Sequence, residues 1–171
     1  MGKTMRINTP VHASVIDQLD VRDRVLLSGT ILTGRDAALP RLLKMEEKGE
    51  LSPLGIDLQG AVIFHSAVSD AGLGPTSSNK EGIENSIIPL AKLGVRIHLG
   101  KGELSANTIR GLAEHASLYA VIPPVSALIR SCVERTERLL FPELGMEAIY
   151  KIEVKDLPIL IAASKGFSVY D

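Results

Sequence analysis

Apolar positions fall into short strand-like runs, each followed by a Gly-containing loop and then a stretch with helical spacing. Arg24–Thr33 (RVLLSGTILT) is rich in Val, Leu, Ile and Thr and is predicted as a strand. It ends in Thr33-Gly34-Arg35-Asp36. The following Ala38–Gly49 has helical composition, with Pro40 in the first turn, where a missing N–H costs little, and Gly49 as the stop. Ala61–His65 is a second short strand, and Ser66–Lys80 is a loop loaded with Gly, Ser, Thr and Pro. The spacing of Ile83, Ile87, Leu90 and Ala91 predicts a helix from about Glu81 to Leu93, with Pro89 bending or breaking its last turns. Val95–Leu99 is a third strand, turned by Gly100-Lys101-Gly102, and Ser105 is an N-cap for a helix over Ala106–His115. Tyr119–Ile122 is a further strand, leading through Pro123-Pro124 into a helix over Val125–Leu140.

The tail changes character. Ala148, Tyr150, Ile152 and Val154 alternate with Ile149, Lys151 and Glu153, a period of two. Pro158–Ala163 and Phe167–Tyr170 flank Lys165-Gly166, a hairpin turn signal. Parallel β/α units followed by antiparallel strands predict a mixed α/β fold with two kinds of sheet. Repeats and low-complexity tracts are absent, so residues 23–171 read as one domain, and residues 1–22 as an N-terminal arm that could pack on a partner.

At 171 residues, with 45% hydrophobic and 23% charged residues, the chain has the balance of a globular domain rather than a disordered one. A formal net charge of -1 argues against nucleic acid or a membrane surface as partner. Cys132 is the only cysteine, which excludes a disulfide framework and any iron–sulfur cluster ligated wholly by this chain. Neither a run of about 18 apolar residues nor an apolar stretch in Met1–Pro10 occurs, so the chain reads as cytoplasmic.

Arg35, Lys80 and Lys101 each lie in a Gly-containing loop after a strand, and Arg35 and Lys80 also precede helix starts, where unpaired N–H groups favour anions. In open α/β sheets ligands gather at the carboxyl ends of the strands, so converging loops of this kind would hold two carboxylates or a phosphate. The plainer reading is three solvated loop cations. Gly74–Lys80 adds hydroxyl and amide donors, or is only a capped turn. Val95–Gly102 does not match a phosphate loop, and G-x-S-x-G is missing. His12, His65, His98 and His115 lack metal-ligand spacing and read as surface or core histidines, and Cys132 as a packed apolar residue.

Four motifs in order carry a resemblance. Leu27–Ala38 (LSGTILTGRDAA) is similar to the G-x-I-x-T-A-R-D-A-A-H-K-R opening of the β subunit of iron–sulfur class I fumarate and tartrate hydro-lyases. Gly74-Pro75-Thr76-Ser77 resembles that family's G-P-T-T, Leu99–Gly102 its I-G-K-G, and Glu143–Ile149 its E-L-G-M-E-A. The resemblance runs from about Asp23 to Tyr170. It implies a swivelling β/β/α domain of three layers, with a mainly parallel central sheet and a second, antiparallel one. It also implies an α subunit that carries a [4Fe–4S] cluster, in an α2β2 heterotetramer acting on a dicarboxylate.

Carried over residue by residue, Arg35, Thr76, Ser77, Lys80 and Lys101 would bind substrate, with Thr76 and Lys101 catalytic and no metal ligand in this chain. Thr76 falls at the family's proton-transfer hydroxyl, and the cations would stabilise charge building on the carboxylate. The sequence departs from the family at Gly34 (for Ala), at Leu39-Pro40 (for His-Lys) and at Lys80 (for Arg), the last losing the bidentate fork. The expected activity is hydration of fumarate to malate, with tartrate dehydration or a non-catalytic carboxylate-binding module as alternatives.

Overall fold

The computed structural model describes residues 2–69, 72–73, 80–123 and 125–171; for residues 69, 72–73, 80–83 and 126 only the backbone is described. In chain order the elements are β1 (Thr4–Asn8), α1 (Ala13–Ile16), β2 (Arg24–Thr33), α2 (Leu39–Glu47), β3 (Val62–Phe64), β4 (Val68–Ser69), β5 (Gly72–Leu73) and α3 (Lys80–Lys92). They continue with β6 (Ile97–Gly100), α4 (Ala106–Glu114), β7 (Leu118–Val121), α5 (Ser126–Cys132), β8 (Val133–Leu140), β9 (Ile149–Ser164) and β10 (Phe167–Ser168). Short 3-10 turns cover Ser52–Leu54 and Pro142–Glu147. No helix among the described residues is long and apolar enough to cross a membrane.

The chain is a mixed α/β structure in which β2 is the hub. On one side β1 runs parallel to its first half and β3 parallel to its last two residues. On the other, β9 runs antiparallel along nearly all of it, from Arg24 opposite Leu160 to Thr33 opposite Tyr150. β6 and β7 extend the parallel set from β3, and β7 pairs antiparallel with the far end of β9. The hydrogen-bonded path β2–β3–β6–β7–β9 therefore returns to β2.

Side chains alternate across this ring, as strand geometry requires. Ile31, Val62, Phe64, Ile97, Leu99, Leu118, Ala120, Ile152 and Val154 share one buried core. Their neighbours Leu32 and Ile63 point the other way, into a second core with α2 and Leu90 of α3, while Tyr119 joins a third core with α3 and α4. Both faces of β3, β6 and β7 are covered, which is why these strands read as continuous apolar runs.

Several elements differ from the sequence reading. The predicted helix over Val125–Leu140 ends at Cys132, and Val133–Leu140 is extended. As β8 it gives the backbone edge of Ile149–Val154 a partner and sets Arg135 opposite Glu153 and Glu137 opposite Lys151, pairings that outweigh the helical composition. The two predicted tail strands are one, β9, bent where Asp156 takes a φ of 50° and its N–H bonds to Ser28 Oγ at 2.9 Å. Pro89 leaves α3 intact to Lys92; the acceptor it frees belongs to exposed Asn85, within reach of water. Residues set apart above as an arm lie against this same chain: β1 pairs with β2, Val11, Ile16 and Leu19 enter the first core, and Asp23 accepts bonds from Lys3 N and Nζ at 2.9 and 2.8 Å.

The turn that carries Arg35 is set by close packing beneath it. A Cβ on Gly34 would come within 2.7 Å of Leu39 Cδ2 and 2.8 Å of Ile149 Cδ1. Gly34 has no left-handed φ, so the constraint is space and not backbone strain. The two departures from the family pattern, Gly for Ala at 34 and Leu for His at 39, thus occupy one contact. Gly34→Ala should destabilise by about 1–3 kcal/mol through overpacking. In a urea-denaturation double-mutant cycle, combining it with Leu39→Ala should cost clearly less than the sum of the single changes. Additive costs would mean that the two sites are uncoupled.

Candidate anion-binding active site

The carboxyl ends of three neighbouring parallel strands deliver the loops. As β2 ends, Gly34 N–H donates to Phe64 O at 3.1 Å; as β3 ends, His65 N–H donates to Leu99 O at 2.9 Å. Arg35, His65 and Lys101 therefore leave the sheet side by side. With neighbouring strands about 4.8 Å apart, the Arg35 and Lys101 backbones start roughly 10 Å from each other, with His65 between.

The Arg35 side chain is 23% exposed, and its nearest carboxylate is Glu147 Oε1, 3.9 Å from Nε. That is an ion pair at a distance too long for a hydrogen bond. Arg35 Nε, Asp36 Oδ1 and Thr33 Oγ1 are buried with no hydrogen-bond partner among the described residues. A buried guanidinium donor without an acceptor is costly, and a ligand carboxylate would relieve it. Lys101 is exposed on the bend after β6. Lys80 begins α3, but its side chain is not described, and Thr76 and Ser77 lie outside the described residues. Of the five predicted site residues, Arg35 and Lys101 thus follow strands at the same end of the sheet, with β3 between them.

Glu147 was not singled out as a site residue, although its motif was noted. The antiparallel register of β2 with β9 puts residues 141–149 beside residues 34–41. Arg41 bonds Glu143 at 2.6 Å and stacks over the Phe141 ring at 4.3 Å, and Tyr150 Oη donates to Gly145 O at 3.2 Å. Gly145, at φ 61° and ψ -122°, takes a backbone conformation that disfavours side chains.

A second group missed by sequence reasoning is a histidine pair. His65 Nε2 lies 3.0 Å from His98 Nδ1, and both rings are fully enclosed. Burial pushes His65 down to about 4; burial, and then the neighbouring His65, push His98 well below the ordinary histidine value. Both are neutral at physiological pH and share one proton across the contact. Of the outer nitrogens, His65 Nδ1 and His98 Nε2, one is then a donor and the other an acceptor. Neither has a partner among the described residues. Tyr119, opposite His98 in β7, has its phenol pushed upward by burial and by the nearby Tyr170 and Glu84. Gly100 makes room for that ring: a Cβ there would sit 3.0 Å from the Tyr119 ring edge. The signal available in the sequence was that AVIFH and VRIHL each carry a histidine near the end of an adjacent predicted strand.

No group of three His, Cys, Asp or Glu among the described residues could hold a metal ion. A cleft of about 370 Å³ bounded by Thr30, Leu32, Ile56, Gly60 and Lys151 contains neither Arg35 nor Lys101. For the histidine pair the sign of the pH effect is fixed. Above about pH 6.5 folded and unfolded states are both neutral; below it the unfolded chain takes up protons that the folded pair refuses. Unfolding free energy should fall as pH drops from about 6.5 toward 4, and His65→Gln should flatten that slope. A slope unchanged in the variant would remove His65 as its source.

The chain matches the family described as Fumarase C-terminus over residues 2–171. It is 31% identical to the aerobic class I fumarate hydratase of Salmonella typhimurium over 94% of this chain and 29% of that protein. Against fumarate hydratase 2 of Leishmania major it is 30% identical over 91% of this chain and 28% of that protein. The chain therefore spans about three-tenths of the length of these hydratases. It is also 30% identical to the L(+)-tartrate dehydratase subunit beta of Escherichia coli, over 92% of this chain and 81% of that subunit. A match over nearly every residue, with the Arg35 turn and the Glu143–Glu147 turn packed together in one edge of the sheet, places this chain in the fumarase C-terminus family.

Proposed function

We propose that this chain is the β subunit of a heteromeric hydro-lyase of the class I fumarate hydratase type, active with an α subunit in an α2β2 assembly. The observation that carries this reading is Arg35, with a buried donor unspent, at the same end of the sheet as exposed Lys101, one strand intervening. Its likeness to the L(+)-tartrate dehydratase subunit beta of Escherichia coli supports the β-subunit reading. In this reading the chain, β1 and α1 included, is one swivelling β/β/α domain of three layers, working in the cytoplasm.

The residues of this chain do not fit the [4Fe–4S] cluster of this enzyme type. Cys132, the sole cysteine, ends α5 with Sγ 3.7 Å from Asp156 O, beside β2 residue Ser28 rather than at the carboxyl ends of the strands. The cluster would therefore be held by the α subunit.

What this chain would do is grip and polarise. Arg35 takes one carboxylate of the substrate and Lys101 the other, while Glu147, 3.9 Å from Nε, orients the guanidinium without using its donors and leaves them for the ligand. The neutral histidine pair between them adds no charge, so the two cations set the local potential. When malate loses water, the C–H bond next to a carboxylate breaks. Its electron pair becomes the new double bond and hydroxide departs from the neighbouring carbon; the proton passes to the Thr76 oxygen once that hydroxyl has given its own proton to a neighbouring base, which then returns a proton to the hydroxide to release water. Negative charge building on the carboxylate in that step is what Lys101 and Arg35 stabilise. Lys80 and Ser77 complete the grip. Because tartrate dehydration is the same elimination, and the relative covered along most of its length is a tartrate dehydratase subunit, that substrate is the second reading.

The test is production with the α subunit under anaerobic conditions, followed by a substrate panel. Turnover of fumarate or tartrate is expected, with Arg35→Ala and Lys101→Ala each lowering kcat/KM about a hundredfold to ten-thousandfold. Near-wild-type rates would remove the residue from the site. Binding of a dicarboxylate without turnover would leave a carboxylate-binding module instead.

A further inference from the structure

β8 is the outermost strand on its side of the sheet: among the described residues it is hydrogen-bonded to β9 alone. Glu134, Arg135, Thr136, Glu137 and Arg138 are all exposed, so neither face is covered along this stretch and one backbone edge has no partner. Free edges of this length are templates for another strand and are usually blunted by Pro, by bulges or by charged side chains. β8 is irregular in register at its ends, between Val133 and Arg135 and between Arg138 and Leu140, and regular from Arg135 to Arg138. Here the charges alternate in sign about a central residue.

That symmetry has a geometric consequence. An antiparallel strand docked on β8 and centred on Thr136 places residues equidistant from the centre opposite each other. If the docked strand is β8 of a second copy, Glu134 faces Arg138 and Arg135 faces Glu137, each pair occurring twice, with Thr136 facing Thr136. Shifting the register by one residue sets Glu134 against Glu137 in one direction and Arg135 against Arg138 in the other. Shifting it by two sets Arg135 or Glu137 against itself. Opposite charges directly across an antiparallel pair stabilise and like charges destabilise, so one register is favoured over each of its neighbours. The same two-fold brings the start of one β8 beside the end of the other.

We propose that the free edge of β8 is a homotypic docking surface, at which two copies of this chain pair β8 to β8 about a two-fold axis through Thr136. This isologous contact continues the antiparallel part of the sheet from one copy into the other. It stands on the strand's position and charge pattern, and is independent of the hydro-lyase reading.

The test uses the full chain in sedimentation-velocity and light-scattering measurements across a concentration series, with circular dichroism confirming each variant's fold. Wild type should show a concentration-dependent dimer of the 18.3 kDa chain. Glu134→Arg and Arg138→Glu should each weaken dimerisation about tenfold or more, because each sets like charges face to face. Mixed in equal amounts, the two variants should recover the dimer, since each change then faces its complement. If either fails to fold, Arg135→Glu and Glu137→Arg supply the same crossed test on the other face of the strand. A wild-type chain that stays monomeric, a dimer indifferent to these charges, or a mixture that stays monomeric would each overturn the proposal.

Discussion

The pairing of β2 with β9 is the constraint from which the rest of this molecule follows. β2 ends where the candidate site begins, and β9 starts there. Because the two strands run antiparallel, with Thr33 opposite Tyr150, segments more than a hundred residues apart in sequence are forced together. The Arg35 turn therefore lies against the Pro142–Glu147 turn, joined by the Arg35–Glu147 and Arg41–Glu143 ion pairs and by Gly34 packing on Ile149. The first and fourth sequence motifs are in this sense one structural unit. The first supplies a cation, and the fourth supplies the carboxylate and apolar wall that hold it in place.

That arrangement bears on how the site treats charge. Arg35 is enclosed enough for its Nε to be buried, yet Glu147 stays at 3.9 Å and is itself partly exposed. An ion pair at that distance positions the guanidinium without using its donors. A tighter pair would neutralise the cation before a substrate arrived; no pair at all would leave a long side chain to wander. Between the cations sit two histidines whose burial keeps them neutral, so the loops carry positive charge at their tips and none beneath. An anion arriving there would meet directional donors, with the Glu147 and Asp36 carboxylates beside Arg35 as the opposing charge.

The parallel strands and Ser105-capped α4 were legible in sequence because both faces or one clear stripe of each are apolar, and period and capping report that directly. Arg35 and Lys101 were legible as loop cations after strands. Two kinds of feature were not. β1 carries a single buried residue, Ile7, so its period is too short to register. The His65–His98 contact depends on the register of β3 against β6, which no local pattern states. For Thr76 and Ser77 the motif remains the sole guide.

β8 shows a third kind of failure, and its cause is informative. Glu, Arg and Leu are good helix formers, so VERTERLL continues the preceding helix on propensity alone. A strand at a sheet edge with both faces wet needs solubility more than it needs β-branched residues, and solubility is what charged helix formers supply. Composition therefore points to the wrong element for a physical reason: an exposed edge strand is selected by its surroundings, while propensity scales describe strands that are half buried. What distinguishes it is the order of the charges. With a helical period of 3.6, Glu134 and Arg138 would meet as neighbours one turn apart within the same chain, a stabilising i,i+4 pair. Extended, they lie too far apart to meet within one chain, and charges held that way find opposite partners only across a strand boundary. In register, Arg135 and Glu137 stand opposite Glu153 and Lys151 on β9. The sign alternation that mimics a salt-bridged helix is thus equally a code for pairing sideways, and the backbone's need to cover the β9 edge decides which of the two is realised.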